Sequence, residues 1–147
     1  MDEIIDAIVS GDYEKAVELG KSRLISDPED GSTHCILAIA YEKMARYEDA
    51  LNHITACLGS GRDVFDHLII AFQCAKELGH HKQAYEFAER ALNTNLTPVM
   101  PKFFSRLFSA LAIIPRLKGI KEFEIQRQEE YQEQLEQLRE YVDRHKQ

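Results

Sequence analysis

The sequence predicts an all-α protein built from stacked helix–turn–helix units. Similar 14-residue segments begin at Gly11, Ala45 and Gly79, so one pattern returns at an interval of 34 residues. Self-similarity with a period of about 20 to 50 residues is typical of repeat architectures. Within the units, apolar residues recur at i, i+3, i+4 and i+7, which is the period of an amphipathic helix. The three units span about residues 2–30, 31–64 and 65–98.

The first unit has a short first helix, whose apolar residues are Ile4, Ile5, Ile8 and Val9. The second and third units each contain two helices of about a dozen residues. Two helices of this size cannot bury their shared apolar face alone, so neighbouring units must stack. Their inward-facing residues are predicted to be His34, Leu37, Ala38, Tyr41, Ala50, Leu51, Ile54, Cys57 and Leu58 in the second unit, and Leu68, Ala71, Phe72, Ala75, Ala84, Tyr85, Ala88, Ala91 and Leu92 in the third.

An alanine recurs at one position of each unit, as Ala16, Ala50 and Ala84. This recurrence predicts a close approach of two helix axes, because a larger side chain there would push the helices apart and open voids. A generic antiparallel bundle would not require such a residue at a fixed interval. We therefore favour stacked units over a bundle.

The recurring residues resemble those of the tetratricopeptide repeat family, whose helix–turn–helix unit has about 34 residues. The family's Leu-small-x-x-Tyr pattern matches "LAIAY" at residues 37–41. Its Gly-x-Tyr-x-x-Ala turn matches Gly11, Tyr13 and Ala16, and its closing proline matches Pro28.

The resemblance covers about residues 2–98. It departs from the family at Ala75, where tyrosine is favoured, and at the missing closing proline of the third unit. It implies a right-handed superhelical stack in which the first helix of each unit lines a concave surface. In the family, that surface binds an extended peptide or a helix of a partner protein.

Apolar residues dominate the predicted inner face, and an exposed apolar patch indicates either a partner or an internal cover. The predicted partner-binding groove consists of Ile5, Ile8, Cys35, Ile39, Glu42, Asp66, Ile69, Gln73 and Lys76. One subfamily binds the C-terminal carboxylate of chaperones through a clamp of Lys, Asn and Arg. The matching positions here are Ile5, Ile36, Asp66 and Ile70. We therefore expect no binding of such an acidic tail.

Residues 99–118 predict a further amphipathic helix with a wide apolar arc. The residues of that arc are Phe103, Phe104, Leu107, Phe108, Leu111, Ala112 and Ile114. An arc this wide needs neighbours on two sides, which favours a degenerate fourth unit from residue 99 that ends the repeat domain at 118. The alternative is an exposed basic helix that binds a membrane or a partner.

Residues 119–147 predict one long polar helix without proline or internal glycine. Tyr131, Leu135, Leu138 and Val142 form a heptad-like seam along it. One interpretation is a cap that covers the open end of the stack, as solenoid ends require. The alternative is a helix that forms a homodimer or binds a partner.

The charge of the chain disfavours nucleic acid as a partner. The formal net charge is −7, which repels nucleic acid and anionic lipid. The longest apolar stretch, "SALAIIP", is too short to cross a bilayer. The acidic N-terminus lacks the features of a secretory signal, so we expect a cytoplasmic protein.

No motif of a catalytic or phosphate-binding site occurs, and we predict neither an enzyme nor a cofactor. Cys35, Cys57 and Cys74 are odd in number and lack paired spacing, so no disulfide is expected. His53 and Cys57 are four residues apart, a spacing that can present two metal ligands. No metal is predicted there, because Cys57 falls at a buried small-residue position and His53 is expected to face water. His81 replaces the turn tyrosine, and its ring is expected to pack.

These observations predict a non-catalytic protein–protein interaction module: an adaptor, scaffold or chaperone-like protein that binds a peptide or helix of another protein in the apolar groove. The alternative is a structural self-assembly protein, in which the groove is filled by the chain's own C-terminal helix or by that of a second subunit.

Overall fold

The computed structural model describes residues 1–61, 64–94 and 118–146, with side chains in the last segment from residue 129. Over these residues the protein is all-helical, with seven helices and no strand, so the predicted all-α class is confirmed. The helices are α1 (Asp2–Ser10), α2 (Tyr13–Ser26), α3 (Gly31–Lys43), α4 (Tyr47–Gly59), α5 (Phe65–Glu77), α6 (His81–Asn93) and α7 (Lys118–His145).

Each helix from α1 to α6 packs against the next, and α1 with α2, α3 with α4, and α5 with α6 form three helical hairpins. The hairpins span residues 2–26, 31–59 and 65–93, and each lies within one of the units expected from the 34-residue interval. The first helices are also neighbours, because α3 contacts α1 and α5 contacts α3. The inner faces of α1, α3 and α5 therefore lie side by side. The predicted fourth unit falls almost wholly on residues 95–117, outside the described residues.

The same left-handed turn closes the first helix of each unit. Gly11, Ala45 and Gly79 have φ values of 79°, 56° and 72°, and they lie 34 residues apart. Glycine adopts this conformation without steric cost, whereas alanine is strained by its Cβ. Among the described residues Ala45 is the one non-glycine position with a positive φ.

Backbone hydrogen bonds repeat in these turns with the same register. The residue after the left-handed position donates its N–H five residues back into the helix, which is the Schellman arrangement. The three bonds are Asp12 N to Ala7 O at 2.9 Å, Arg46 N to Tyr41 O at 2.9 Å and His80 N to Ala75 O at 2.8 Å. The carbonyl of that residue then accepts the first bond of the next helix, from Ala16, Ala50 or Ala84. A turn of two or three residues thus ends one helix and starts the next.

The alanines that follow the turns are fully buried, as predicted from their recurrence. Gly20 provides a second close contact between helices. A Cβ added at Gly20 would lie 2.6 Å from a methyl carbon of Leu37. Because Leu37 is itself fully buried, α2 and α3 approach closely only while this position carries no side chain.

Asp30 caps the N-terminus of α3 and links it to α2. Its carboxylate accepts hydrogen bonds from Ser32 N at 3.1 Å and from Thr33 Oγ1 at 2.7 Å. It also pairs with Arg23 Nε at 2.7 Å. The hydrogen bonds from Arg23 and Thr33 favour the ionised form and hold the pKa of Asp30 well below its usual range.

The C-terminal helix α7 packs against the third unit. It contacts α6, and two of its tyrosines reach α5: the Tyr131 ring lies 5.3 Å from Phe65, and the Tyr141 ring lies 5.0 Å from Phe72. α7 therefore contacts both helices of the third unit, as α5 contacts both helices of the second.

The seam expected from the heptad-like spacing is the face of α7 that is covered within the chain. Leu135 and Val142 are buried, Leu138 is 0% exposed, and Tyr131 is half-buried. These residues belong to the same apolar cluster as the repeat core. A dimer through this seam would first require α7 to leave its own repeats.

Candidate functional site: the inner face of the first helices

Equivalent positions of α3 and α5 form two parallel stripes on the inner face. Cys35, Ile39 and Glu42 lie on one face of α3 at i, i+4 and i+7. Adding 34 to each number gives Ile69, Gln73 and Lys76 on α5. Because α3 and α5 are in contact, the stripes are adjacent. Ile5 and Ile8 continue the same register on α1.

The inner face is most open near the C-terminal ends of α3 and α5. Gln73 and Lys76 are exposed, and Ile39 and Glu42 are half-buried. Next to them, α1 contributes Ile5, which is 44% exposed, and Ile8, which is half-buried. The accessible side chains are thus apolar on α1, mixed on α3 and polar on α5, and a partner could bury the apolar ones.

Two residues expected to line the groove are instead buried. Cys35 and Ile69 are each 6% exposed, so they belong to the floor beneath the inner face and not to its accessible lining. They are the N-terminal members of their stripes. Here Cys35 of α3 also contacts His67 of α5, so the two helices are in direct side-chain contact near their N-terminal ends. The expectation that Cys35 and Ile69 contact a partner directly is wrong for this conformation.

The charges of the inner face are mixed. Asp66 is exposed and accepts a hydrogen bond of 2.9 Å from the hydroxyl of Tyr131 on α7. Glu42 lies 3.1 Å from the ammonium group of Lys43, and the ammonium group of Lys76 lies 6.0 Å from the ring of Phe72. The C-terminal helix therefore reaches one of the predicted groove residues, Asp66, at the edge of α5.

A disulfide joins Cys35 on α3 to Cys57 on α4, with Cα atoms 5.2 Å apart. The expectation of three unpaired cysteines is therefore wrong. The helical hairpin brings the N-terminal half of α3 beside the last turn of α4, so two cysteines without a recognisable spacing become neighbours. In an antiparallel hairpin the start of the first helix lies beside the end of the second, and this relation is the signal in the sequence that indicates the bond.

The third cysteine, Cys74, is a free thiol and is fully buried on α5. Burial, followed by the nearby carboxylate of Glu42, raises the pKa of Cys74 to about 12. A thiol in this environment stays protonated and unreactive at neutral pH.

His53 does not face water as expected, and it does not pair with Cys57. Its Nδ1 lies 2.9 Å from Nδ1 of His34, and its ring stacks on Tyr41 with centroids 5.5 Å apart. Burial and then the neighbouring His34 lower the pKa of His53. One of the two Nδ1 atoms must donate and the other accept, so this contact requires at least one neutral imidazole.

His81 packs against α7, in line with the expectation that its ring has a packing role. Its Nδ1 lies 3.2 Å from the hydroxyl of Tyr141. Its ring also stacks on His145, with centroids 5.6 Å apart. The side chain at the third turn thus helps to hold the C-terminal helix.

His67 was missed in the sequence, although it lies beside the disulfide. Its Nδ1 is 3.6 Å from Cys57 Sγ and 4.0 Å from Cys35 Sγ. His67 is two residues before Ile69, which is the equivalent of Cys35 on the neighbouring first helix. Because residues two apart do not share a helix face, the repeat register gives no sign of this contact in the sequence.

The chain matches no protein-family model and no curated protein. The resemblance to tetratricopeptide repeats therefore rests on the recurring residues. Within the part of the chain that the structure describes, no helix combines the length and the apolar character needed to cross a bilayer.

Proposed function

We propose that the chain is a non-catalytic protein–protein interaction module of the tetratricopeptide repeat type. The observation that supports this best is the inner face: α1, α3 and α5 are neighbours, and α1 and α3 present accessible isoleucines, Ile5 and Ile39, at equivalent positions. The recurring turns at Gly11, Ala45 and Gly79 support the right-handed superhelical stack that the resemblance implies. The proposed partner is a peptide or a helix of another protein.

Burial of apolar side chains would drive this binding. Ile5, Ile8 and Ile39 offer aliphatic surface that is exposed or half-buried in the free chain, and its removal from water is favourable by about 25 cal/mol per Å². Glu42 and Lys76 carry opposite charges at equivalent positions of adjacent helices. Such charges fix the orientation of a bound segment more than they increase its affinity.

The test is affinity capture from a lysate of the native cells, with wild type, Ile39→Glu and Ile25→Glu compared by mass spectrometry. Ile25 is a matched control because it is an isoleucine on α2, outside the proposed face, and is 83% exposed. We expect a protein that wild type and Ile25→Glu retain and Ile39→Glu loses. Thermal unfolding followed by circular dichroism verifies that each variant is folded. Identical capture by all three folded proteins would contradict the proposal.

A structural self-assembly protein is the second candidate. It is favoured by the contact of Tyr131 with Asp66, through which the C-terminal helix already touches the proposed groove. In this case α7, or α7 of a second copy, would occupy the inner face. Light scattering of the full chain over a range of concentrations tests it. A stable dimer would support assembly through a second copy, and a monomer at all concentrations would contradict it.

A further inference from the structure

Three groups with metal-ligating atoms meet at the junction of α3, α4 and α5. They are Cys35, Cys57 and His67, and their ligand atoms all lie within 4.8 Å of one another. Each comes from a different helix, so the fold and not a local sequence motif brings them together. Both cysteines are buried, whereas His67 is half-buried. A ligand could therefore reach the cluster from the His67 side.

The distances to His67 match those between ligands of a tetrahedral zinc site. Zinc binds thiolate sulfur at about 2.3 Å and imidazole nitrogen at about 2.0–2.1 Å. At the tetrahedral angle, these bonds place a sulfur about 3.6 Å from a nitrogen and two sulfurs about 3.8 Å apart. The observed distances from His67 Nδ1 to the sulfurs of Cys57 and Cys35 are 3.6 and 4.0 Å. Two small adjustments are needed: reduction of the disulfide must let the sulfurs separate, and Cys35 Sγ must move slightly closer to His67 Nδ1.

We propose that the reduced chain binds one Zn²⁺ through Cys35 Sγ, Cys57 Sγ and His67 Nδ1, and that formation of the Cys35–Cys57 disulfide releases the ion. Two thiolates and one imidazole leave the fourth position to water. This ligand set suits zinc, because zinc binds sulfur and imidazole ligands, whereas magnesium and calcium bind oxygen ligands. Two thiolates also neutralise the charge of the ion in a largely buried site.

The release step balances with a small disulfide as oxidant. One zinc-bound thiolate attacks the small disulfide, forming a mixed disulfide and expelling one small thiolate. The second cysteine then attacks the mixed disulfide and expels the other. Overall, the two protein thiolates are oxidised, the small disulfide is reduced to two thiols with uptake of two protons, and Zn²⁺ leaves. The two sulfurs can therefore bind the ion or form the disulfide, but they cannot do both at once.

The test is metal titration of the full-length chain in two redox states. One sample is reduced with a phosphine and kept free of oxygen, and the other retains its disulfide. We expect the reduced chain to bind one equivalent of Zn²⁺ by calorimetry. We also expect Co²⁺ to give the absorption bands of thiolate-to-cobalt charge transfer and of tetrahedral coordination. The oxidised chain should bind neither ion at this site, and glutathione disulfide should release bound Zn²⁺.

Two variants separate the proposed site from non-specific thiol binding. His67→Gln removes the imidazole at a half-buried position and should weaken Zn²⁺ binding by more than about tenfold. Cys74→Ala removes the remaining thiol and should leave the affinity unchanged. Circular dichroism of both variants verifies that they are folded. Equal zinc affinity of the reduced and oxidised chains, or of wild type and folded His67→Gln, would overturn the proposal.

Discussion

Shortening Leu138 to alanine should strongly destabilise the protein, because this side chain anchors α7 to the repeats. Leu138 is 0% exposed and belongs to the main apolar cluster. Leucine-to-alanine replacement removes three side-chain carbons, each contributing about 0.8 kcal/mol when buried. The cavity left behind adds to this loss. We therefore expect the free energy of unfolding to fall by about 3 kcal/mol, within a range of about 2–5 kcal/mol.

Urea denaturation followed by far-ultraviolet circular dichroism measures this change. The matched control is Gln137→Ala, which alters the exposed neighbour on the same helix and should change stability by less than about 0.5 kcal/mol. Amide hydrogen exchange of Leu138→Ala should also show earlier loss of protection in α7 than in α3 or α4. Equal denaturation midpoints for the two variants would refute the docking of α7 on the third unit.

Three further outcomes are expected. Ala45→Gly should raise the free energy of unfolding by about 1 kcal/mol in denaturant titrations, because alanine at φ 56° is strained; a lowered stability would contradict this account of the turn. Alkylation with mass-spectrometric readout should modify no cysteine in the native unreduced chain and Cys74 alone in the unfolded unreduced chain. After unfolding and reduction, Cys35 and Cys57 should be modified as well. Modification of all three cysteines in the unfolded unreduced chain would disprove the disulfide. Asp30→Asn should cost about 1 kcal/mol at neutral pH. Folding lowers the pKa of Asp30, so the contribution of its carboxylate to stability is present above the unfolded pKa of about 3.9 and is lost as the pH falls below that value. The difference in the free energy of unfolding between wild type and this variant should therefore shrink in acid. A difference that stays constant with pH would show that the charge contributes nothing.

Much of the fold could be predicted from the sequence, because helix period and turn chemistry are local properties. The interval between Gly11, Ala45 and Gly79 marks the three left-handed turns that the structure shows. The small residues Ala16 and Ala50 are fully buried where the recurrence indicated a close helix approach. The first helix is less regular: the sequence assigns Val9 to the apolar face of α1, but Val9 is 81% exposed, because none of the described helices covers it.

The site was harder to predict, because its features depend on contacts between helices. A helical stripe shows which residues share a face, but not how deeply a neighbouring helix covers that face. Ile69 shares its stripe with Gln73, yet the first is buried and the second is exposed. The disulfide of Cys35 and Cys57 and the position of His67 likewise depend on how three helices meet, which no spacing along one helix records.

The most direct test of the proposed function is the dissociation constant of a partner peptide. The peptide would come from the protein that wild type captures, and binding would be followed by fluorescence anisotropy with wild type, Ile39→Glu and Ile25→Glu. Placing a charge on the half-buried Ile39 should weaken binding by more than about tenfold, since a desolvated carboxylate opposes the burial that drives affinity. Ile25→Glu should bind like wild type. Equal affinities for all three would show that the inner face of α1, α3 and α5 is not the binding surface.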